Sequence, residues 1–324
     1  MPAMRLRVPR AAVLVLAGSI FLMTFVGVAA AAGAGEAAPA EELRGPITVA
    51  SKIDTEGSLL GYMMLHILED AGFAVDNQVE FGPTDVIRRA ITSDEIDIYP
   101  EYTGNGAFFF DEAGESVWND SVAGYERVRE LDLRENNIVW LTPGDANNTW
   151  AIAVRSEVAE AGVVTMEDIA EYMEQGNTFK LAASEEFVSR PDVLPAFEEA
   201  YGFSLEQQDL LVFSGGSTAT TMQAAARNQD GVNAAMAYGT DGQLATLGLY
   251  VLEDTLGVQP VYQPAPIVRA EVLEQYPEIE DLMRPVFESF DLETLQQLNA
   301  AIAVEGRAAE AVAREYLRTN GFID

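Results

Sequence analysis

The sequence predicts an α/β protein built as two consecutive units, each a mostly parallel sheet flanked by helices. Three observations point there. Strand-length apolar runs alternate with segments of helical period, the series breaks near residue 148 and starts again, and 324 residues of 48% apolar content suit two lobes better than one.

The first series begins with an apolar strand at 47–51. A helix at 57–71 follows, with Leu60, Met64, Ile67 and Leu68 on one face, Thr55 or Asp54 as its cap and Gly72 as its stop. A strand at 79–81, a helix at 83–91 opened by Pro83 and a strand at 96–99 complete a β-α-β-α-β run. Residues 117–136 are helical, and 139–141 return to strand before the loop PGDANN. The second series opens with WAIAV at 150–154. It continues with a helix at 166–174, a strand at 179–183, a helix at 195–201, a strand at 210–213, a helix at 218–228 and a strand at 234–238. Beyond a strand at 250–252, the proline-punctuated segment 261–269 is extended. Helices at 271–276, 292–304 and 308–319 end the chain. There is no internal repeat of fixed period.

Ahead of the first strand, Arg5, Arg7 and Arg10 precede an apolar stretch over 11–32 and then the small-residue run GAGEAAPAEE, the pattern of a secretory signal, with an uncleaved membrane anchor as the alternative reading. Without those three arginines, 16 basic residues face all 52 acidic ones, a formal charge of −36 in place of −33. Such a surface repels nucleic acid and anionic lipid. The absence of cysteine rules out disulfides and an N-terminal lipoprotein anchor. Only Lys52 and Lys180 are lysines, so a lysine at the end of the first strand is conspicuous.

Enzymatic chemistry finds little support. The one histidine, His66, lies inside the first helix; there is no cysteine nucleophile, no HExxH, no GxSxG and no P-loop. The segment FSGGSTATT (213–221) suits a plain helix cap or an anion site, and the carboxylates show no metal-ligand spacing. No catalytic residue, metal or cofactor is expected. A rival of another class is a periplasmic enzyme using Glu101 or Asp241 as acid and base.

The run DIYPEYTGNG (97–106) sets two tyrosines, a carboxylate and the glycine-flanked Asn105 at the end of a strand. Ligands bind beyond the C-terminal ends of strands in open α/β sheets. Residues at such places are Lys52, Tyr102, Asn105, Asn148, Trp150, Arg190, Tyr238 and Tyr262. Singly, each is explained by packing or a surface ion pair.

Together and in this order, their contexts resemble the glycine betaine and choline binding proteins of ABC-type osmoprotectant importers, most closely the OsmF-type branch. The resemblance runs from TVASKIDTEGSLLG (48–61) through DIYPEYTGNGAFFF, NNTWAIAVR, KLAASEEFVSRPD, GVNAAMAYGTDG and YQPAPIVR to LNAAIAVEG (298–306). It implies the type II two-lobed periplasmic binding fold with two crossing segments: 1–32 signal peptide, 33–45 linker, 46–148 and 262–324 lobe 1, 149–261 lobe 2. It also implies a monomeric periplasmic receptor that passes a quaternary amine or zwitterionic osmolyte to an inner-membrane permease; a sensor for a membrane partner is the alternative role. Tyr102, Tyr238 and Tyr262 fall on the family's aromatic cage, and Lys52 and Arg190 on its carboxylate-binding positions. The chain departs from the pattern at Asn105 for threonine, Asn148 for aspartate and Trp150 for tyrosine.

Overall fold

A computed structural model of the chain describes residues 43–324, apart from residues 216 and 245. The expected signal and most of the expected linker lie outside the described residues; the first strand already begins at Arg44.

The strands, in order, are β1 Arg44–Lys52, β2 Phe73–Gly82, β3 Ile98–Tyr102, β4 Ile138–Trp140, β5 Trp150–Arg155, β6 Leu181–Ser184, β7 Leu210–Phe213, β8 Ala234–Tyr238, β9 Leu249–Val251 and β10 Pro264–Arg269. They form two five-stranded sheets, ordered β2-β1-β3-β10-β4 and β7-β6-β8-β5-β9. The sheets are mixed rather than mostly parallel. β1 is parallel to β2 and β3, and β6 to β7 and β8, but β10 runs antiparallel to β3 and β4, and β5 to β8 and β9. The reason is topological. β5 and β10 are the strands entered directly from the other sheet, so they start at the edge where β3 and β8 end: Pro264 pairs with Tyr102, and Trp150 with Tyr238.

β10 is central yet carries two prolines, which lack the N–H a ladder needs. In an antiparallel pair a residue's N–H and C=O face the same neighbour. The carbonyls of Pro264 and Pro266 accept from Gly144 (2.8 Å) and Leu141 (2.9 Å), so the missing donors point at residues 141–144. β4 has ended by then, and no ladder bond is lost.

The helix Thr55–Asp70 starts at Asp54, whose Oδ1 accepts from the Gly57 N–H at 2.8 Å. Leu59, Leu60, Met63, Met64 and Leu68 on it are fully buried against Ile279, Met283, Phe287, Leu295 and Leu317 of the C-terminal helices, which therefore share a core with the first sheet. The second sheet has its own core of Ile152, Val154, Phe179, Leu181, Phe187, Phe197 and Met236. β2 is far longer than the three residues expected, because as an edge strand it exposes Asp76, Asn77 and Gln78 and shows no apolar run. A helix at Glu278–Phe287 escaped the periodicity reading; Pro277 precedes it and Pro285 sits in its last turn. The 117–136 segment is split, a short 3₁₀ turn at Ser116–Asn119 giving way at the Asp120 cap to the helix Ser121–Asn136.

One buried ion pair ties three elements of the first unit. Asp132, fully buried, accepts from Arg88 at 2.8 and 2.5 Å, from the Trp140 indole N–H at 2.7 Å and from Asn136 at 2.8 Å. Removing it leaves a buried guanidinium unpaired, a change that costs about 3–5 kcal/mol. Asp132→Ala should therefore lower the urea midpoint strongly; a shift worth less than about 1 kcal/mol would show that Arg88 finds solvent instead.

Candidate functional site

The C-terminal ends of β1, β3 and β8 and the starts of β5 and β10 meet between the sheets around a cavity. Lys52 is the last residue of β1, Tyr102 of β3 and Tyr238 of β8. Asn105 opens the short helix Asn105–Phe109, and Trp150 opens β5. Asn148 and Tyr262 lie in the two crossing segments, which are tied where they pass: the Asn148 N–H donates to the Tyr262 carbonyl at 2.9 Å, and the Tyr262 N–H to Asn147 Oδ1 at 2.8 Å. These seven side chains all line the cavity.

Arg190 does not line it. It ends the helix Glu185–Ser189 behind the wall, stacks on Phe108 at 4.2 Å, comes within 5.9 Å of the Trp150 ring and donates to Asn105 Oδ1 at 3.0 Å. That last bond joins the two lobes.

Both basic residues are already matched by carboxylates. Lys52 Nζ is 2.5 Å from Glu101, which also accepts from Tyr99 OH, Asn105 Nδ2 and the Tyr102 N–H. Lys52 lies 4.7 Å over the Tyr102 ring, so a protein cation already occupies one face of that ring. Arg190 makes a two-pronged pair with Asp192 (2.6 and 3.0 Å) and reaches Glu186 at 3.1 Å. Lys52 and Arg190, which the resemblance sets at carboxylate-binding positions, are thus each paired with a carboxylate of the chain itself.

Sequence reasoning missed the carboxylates. Asp54 and Glu186 line the cavity beside Pro83 and Thr84. Asp54 appeared only as a helix cap, but a cap that follows directly on β1 has to face the edge where β1 ends. Glu186 stands four residues before Arg190 in EFVSRPD, a spacing that places the two on one helical face. Glu56 is buried behind the wall and accepts from Tyr102 OH (2.9 Å), Asn148 Nδ2 (2.9 Å) and Asn299 Nδ2 (2.6 Å). Burial raises the pKa of Asp54 and Glu56. Asp241 is pushed up to about 7 by burial, although the Tyr238 N–H (2.7 Å) and Thr218 Oγ1 (2.8 Å) both donate to it. Thr218 opens the helix Thr218–Ala226 in the 213–221 segment, where it serves this internal bond.

The aromatic residues supply the rest of the wall. Trp150 and Tyr238 have ring centroids 4.7 Å apart at 49°, and Phe187 backs Trp150 edge-on at 5.6 Å. Burial holds Tyr102, Tyr238 and Tyr262 well above the usual phenol range, so they stay neutral at any physiological pH. Two buried polar atoms at the cavity, Tyr262 OH and Asn148 Oδ1, have no hydrogen-bond partner among the described residues. With Asp54, Glu101, Glu186 and Asp192 set against Lys52 and Arg190, the surroundings carry an excess of negative charge. Aromatic faces and an excess of carboxylates over basic groups together suit a cation. His66 plays no part here; it is buried with Nδ1 3.1 Å from Glu69 and packs against the last helix through Arg314.

Asp241 binds a proton more tightly folded (about 7) than at its ordinary 3.8, so the folded chain holds more protons across that window. Stability should fall as pH rises from 3.8 to about 7. Urea midpoints at pH 5 and pH 8 should differ less in Asp241→Asn than in the unsubstituted chain. An unchanged difference would mean Asp241 titrates normally.

The chain matches the model of the substrate binding domain of ABC-type glycine betaine transport systems over residues 45–319. It is 56% identical over 278 residues to the glycine betaine-binding protein YehZ of Escherichia coli, covering 86% of this chain and 91% of that one. The structure of ligand-free YehZ covers 86% of this chain and all of that one, with a TM-score of 0.63. The glycine-betaine-binding protein of Pseudomonas aeruginosa is 34% identical over 294 residues, 89% of this chain and 90% of its own. A crystal structure of a glycine betaine/carnitine/choline ABC transporter protein, 19% identical, shares the fold with a TM-score of 0.66 over 86% of this chain and all of its own. The two mixed sheets are those of the type II periplasmic binding fold, and the chain belongs to the glycine betaine substrate-binding domains of ABC transport systems.

Proposed function

We propose that this chain is an extracytoplasmic receptor that closes its two lobes on a quaternary-ammonium osmolyte, glycine betaine or a related betaine or choline, and hands it to an ABC permease. It works as a monomer in the periplasm, without turnover. The observation that carries this reading is the pairing of Trp150 and Tyr238 at the mouths of β5 and β8, beside Tyr262, around a cavity whose own cations are neutralised.

A trimethylammonium group has no N–H to donate, so hydrogen-bond acceptors gain little from it. Ring faces and nearby carboxylates attract it instead, each ring contributing roughly 0.5–2 kcal/mol. Tyr238 and Tyr262 supply phenol faces, Trp150 the most electron-rich one, and Asp54 and Glu186 the negative charge. For the anionic end of a betaine, the Tyr262 hydroxyl is a buried donor without a partner among the described residues. Lys52, Asn105 and Arg190 act mainly by holding the wall, through Glu101, Asp192 and the Asn105–Arg190 bond. Tyr102 and Asn148 are oriented by Glu56.

Calorimetric titration of the mature chain with glycine betaine, choline, carnitine and proline, followed also by tryptophan fluorescence, tests the assignment. Heat with at least one quaternary amine is expected; silence with all of them would sink it. Trp150→Ala and Tyr238→Ala should each weaken binding by about tenfold or more. Because the contacts are buried, raising salt should change that affinity little despite the acidic surface.

A further inference from the structure

Away from the cavity, the two lobes also meet where one helix of the first grips one loop of the second. Gln296 and Asn299, three residues apart on the helix Leu292–Ala303, share a face that meets the loop following Tyr238. Gln296 Nε2 donates to the Gly239 carbonyl at 3.0 Å. Asn299 Nδ2 donates to the Thr240 carbonyl at 3.1 Å and to Glu56 Oε2 at 2.6 Å. Gly242 is pressed so close to the helix that an added Cβ would stand 1.9 Å from the Gln296 carbonyl oxygen and 2.9 Å from Ala300 Cβ.

Each half of this contact is bonded to a cavity wall. Glu56 holds Tyr102 and Asn148 with its other oxygen, and Asp241, inside the gripped loop, holds the Tyr238 N–H. Gln296, Asn299 and Gly242 themselves do not line the cavity.

We propose that Gln296, Asn299 and Gly242 form a latch that keeps the lobes shut and sets ligand affinity without touching the ligand. The latch rests on the receptor reading above. Asn299 and Glu56 belong to the same lobe and stay bonded when the lobes part. Opening breaks the Asn299–Thr240 and Gln296–Gly239 bonds and exposes the Gly242 contact. All three therefore favour the closed form alone, and a receptor whose closed form is less populated binds more weakly in proportion. The glycine is required by the approach of the helix rather than by its own backbone, since Gly242 has no positive φ. The atoms nearest to an added methyl group there all belong to the first lobe, so the methyl group obstructs closure.

The test uses Gly242→Ala and Asn299→Ala in the full mature chain, with glycine betaine and choline as probes. Stopped-flow tryptophan fluorescence should show dissociation faster by about tenfold or more in Gly242→Ala, with the association rate held. Small-angle scattering should show the ligand-bound variant more expanded than the ligand-bound unsubstituted chain. Asn299→Ala should change the same rate in the same direction by a smaller factor, which covers the case of a misfolded Gly242→Ala. Unchanged dissociation in both variants would overturn the latch. If the unsubstituted chain binds neither probe, the receptor reading fails by itself. The latch is then judged by the radius of gyration of the free chains: a larger value in Gly242→Ala upholds it, and equal values overturn it.

Discussion

The site depends on the prior neutralisation of its own cations. Lys52 and Arg190 are buried at the junction of the lobes, and a buried cation is tolerated only with a close anionic partner. Glu101 and Asp192 fill that need. Once they do, Asp54 and Glu186 remain to give the cavity its sign, and the aromatic rings give it shape. The same pairing stiffens the wall, because Glu101 also anchors Asn105, and Asn105 takes the Arg190 bond across the cleft.

Topology brings these groups together. A chain that crosses twice between two sheets must enter each at the edge where other strands end. Hence β5 and β10 run against their neighbours, and first and last residues become cross-strand pairs, as with Trp150 and Tyr238. The prolines of β10 fit the same scheme, since they occupy the stretch of strand whose outer side faces a departing segment rather than a ladder. Glu56 then links the first helix, the end of β3, a crossing segment and a C-terminal helix through three bonds to one carboxylate. It connects the state of the lobes to the shape of the cavity.

Much of this was legible from local pattern. Alternating periods located nearly every central strand, and seven of the eight residues picked from strand ends line one cavity. β2 was legible only near its end, because an edge strand that exposes one side shows no apolar run, whereas the helix Glu278–Phe287 was passed over although Ile279, Met283, Val286 and Phe287 form one buried face of it. Arg190 was placed correctly in its loop, but its side chain is paired with Asp192 and does not line the cavity. Its partner Asp192 is two residues away, yet nothing in the spacing tells whether a carboxylate turns toward the arginine or toward solvent.

Residue order alone established two α/β units, an acidic surface and a set of rings and amides at strand ends, because period and strand polarity are local properties. Strand direction, the pairing of Lys52 with Glu101 and the grip of Gln296 and Asn299 on the Gly239–Gly242 loop arise between residues tens of positions apart. Whether a lysine is a free cation or half of a buried pair depends on where a carboxylate 49 positions later comes to rest. That distance is set by packing.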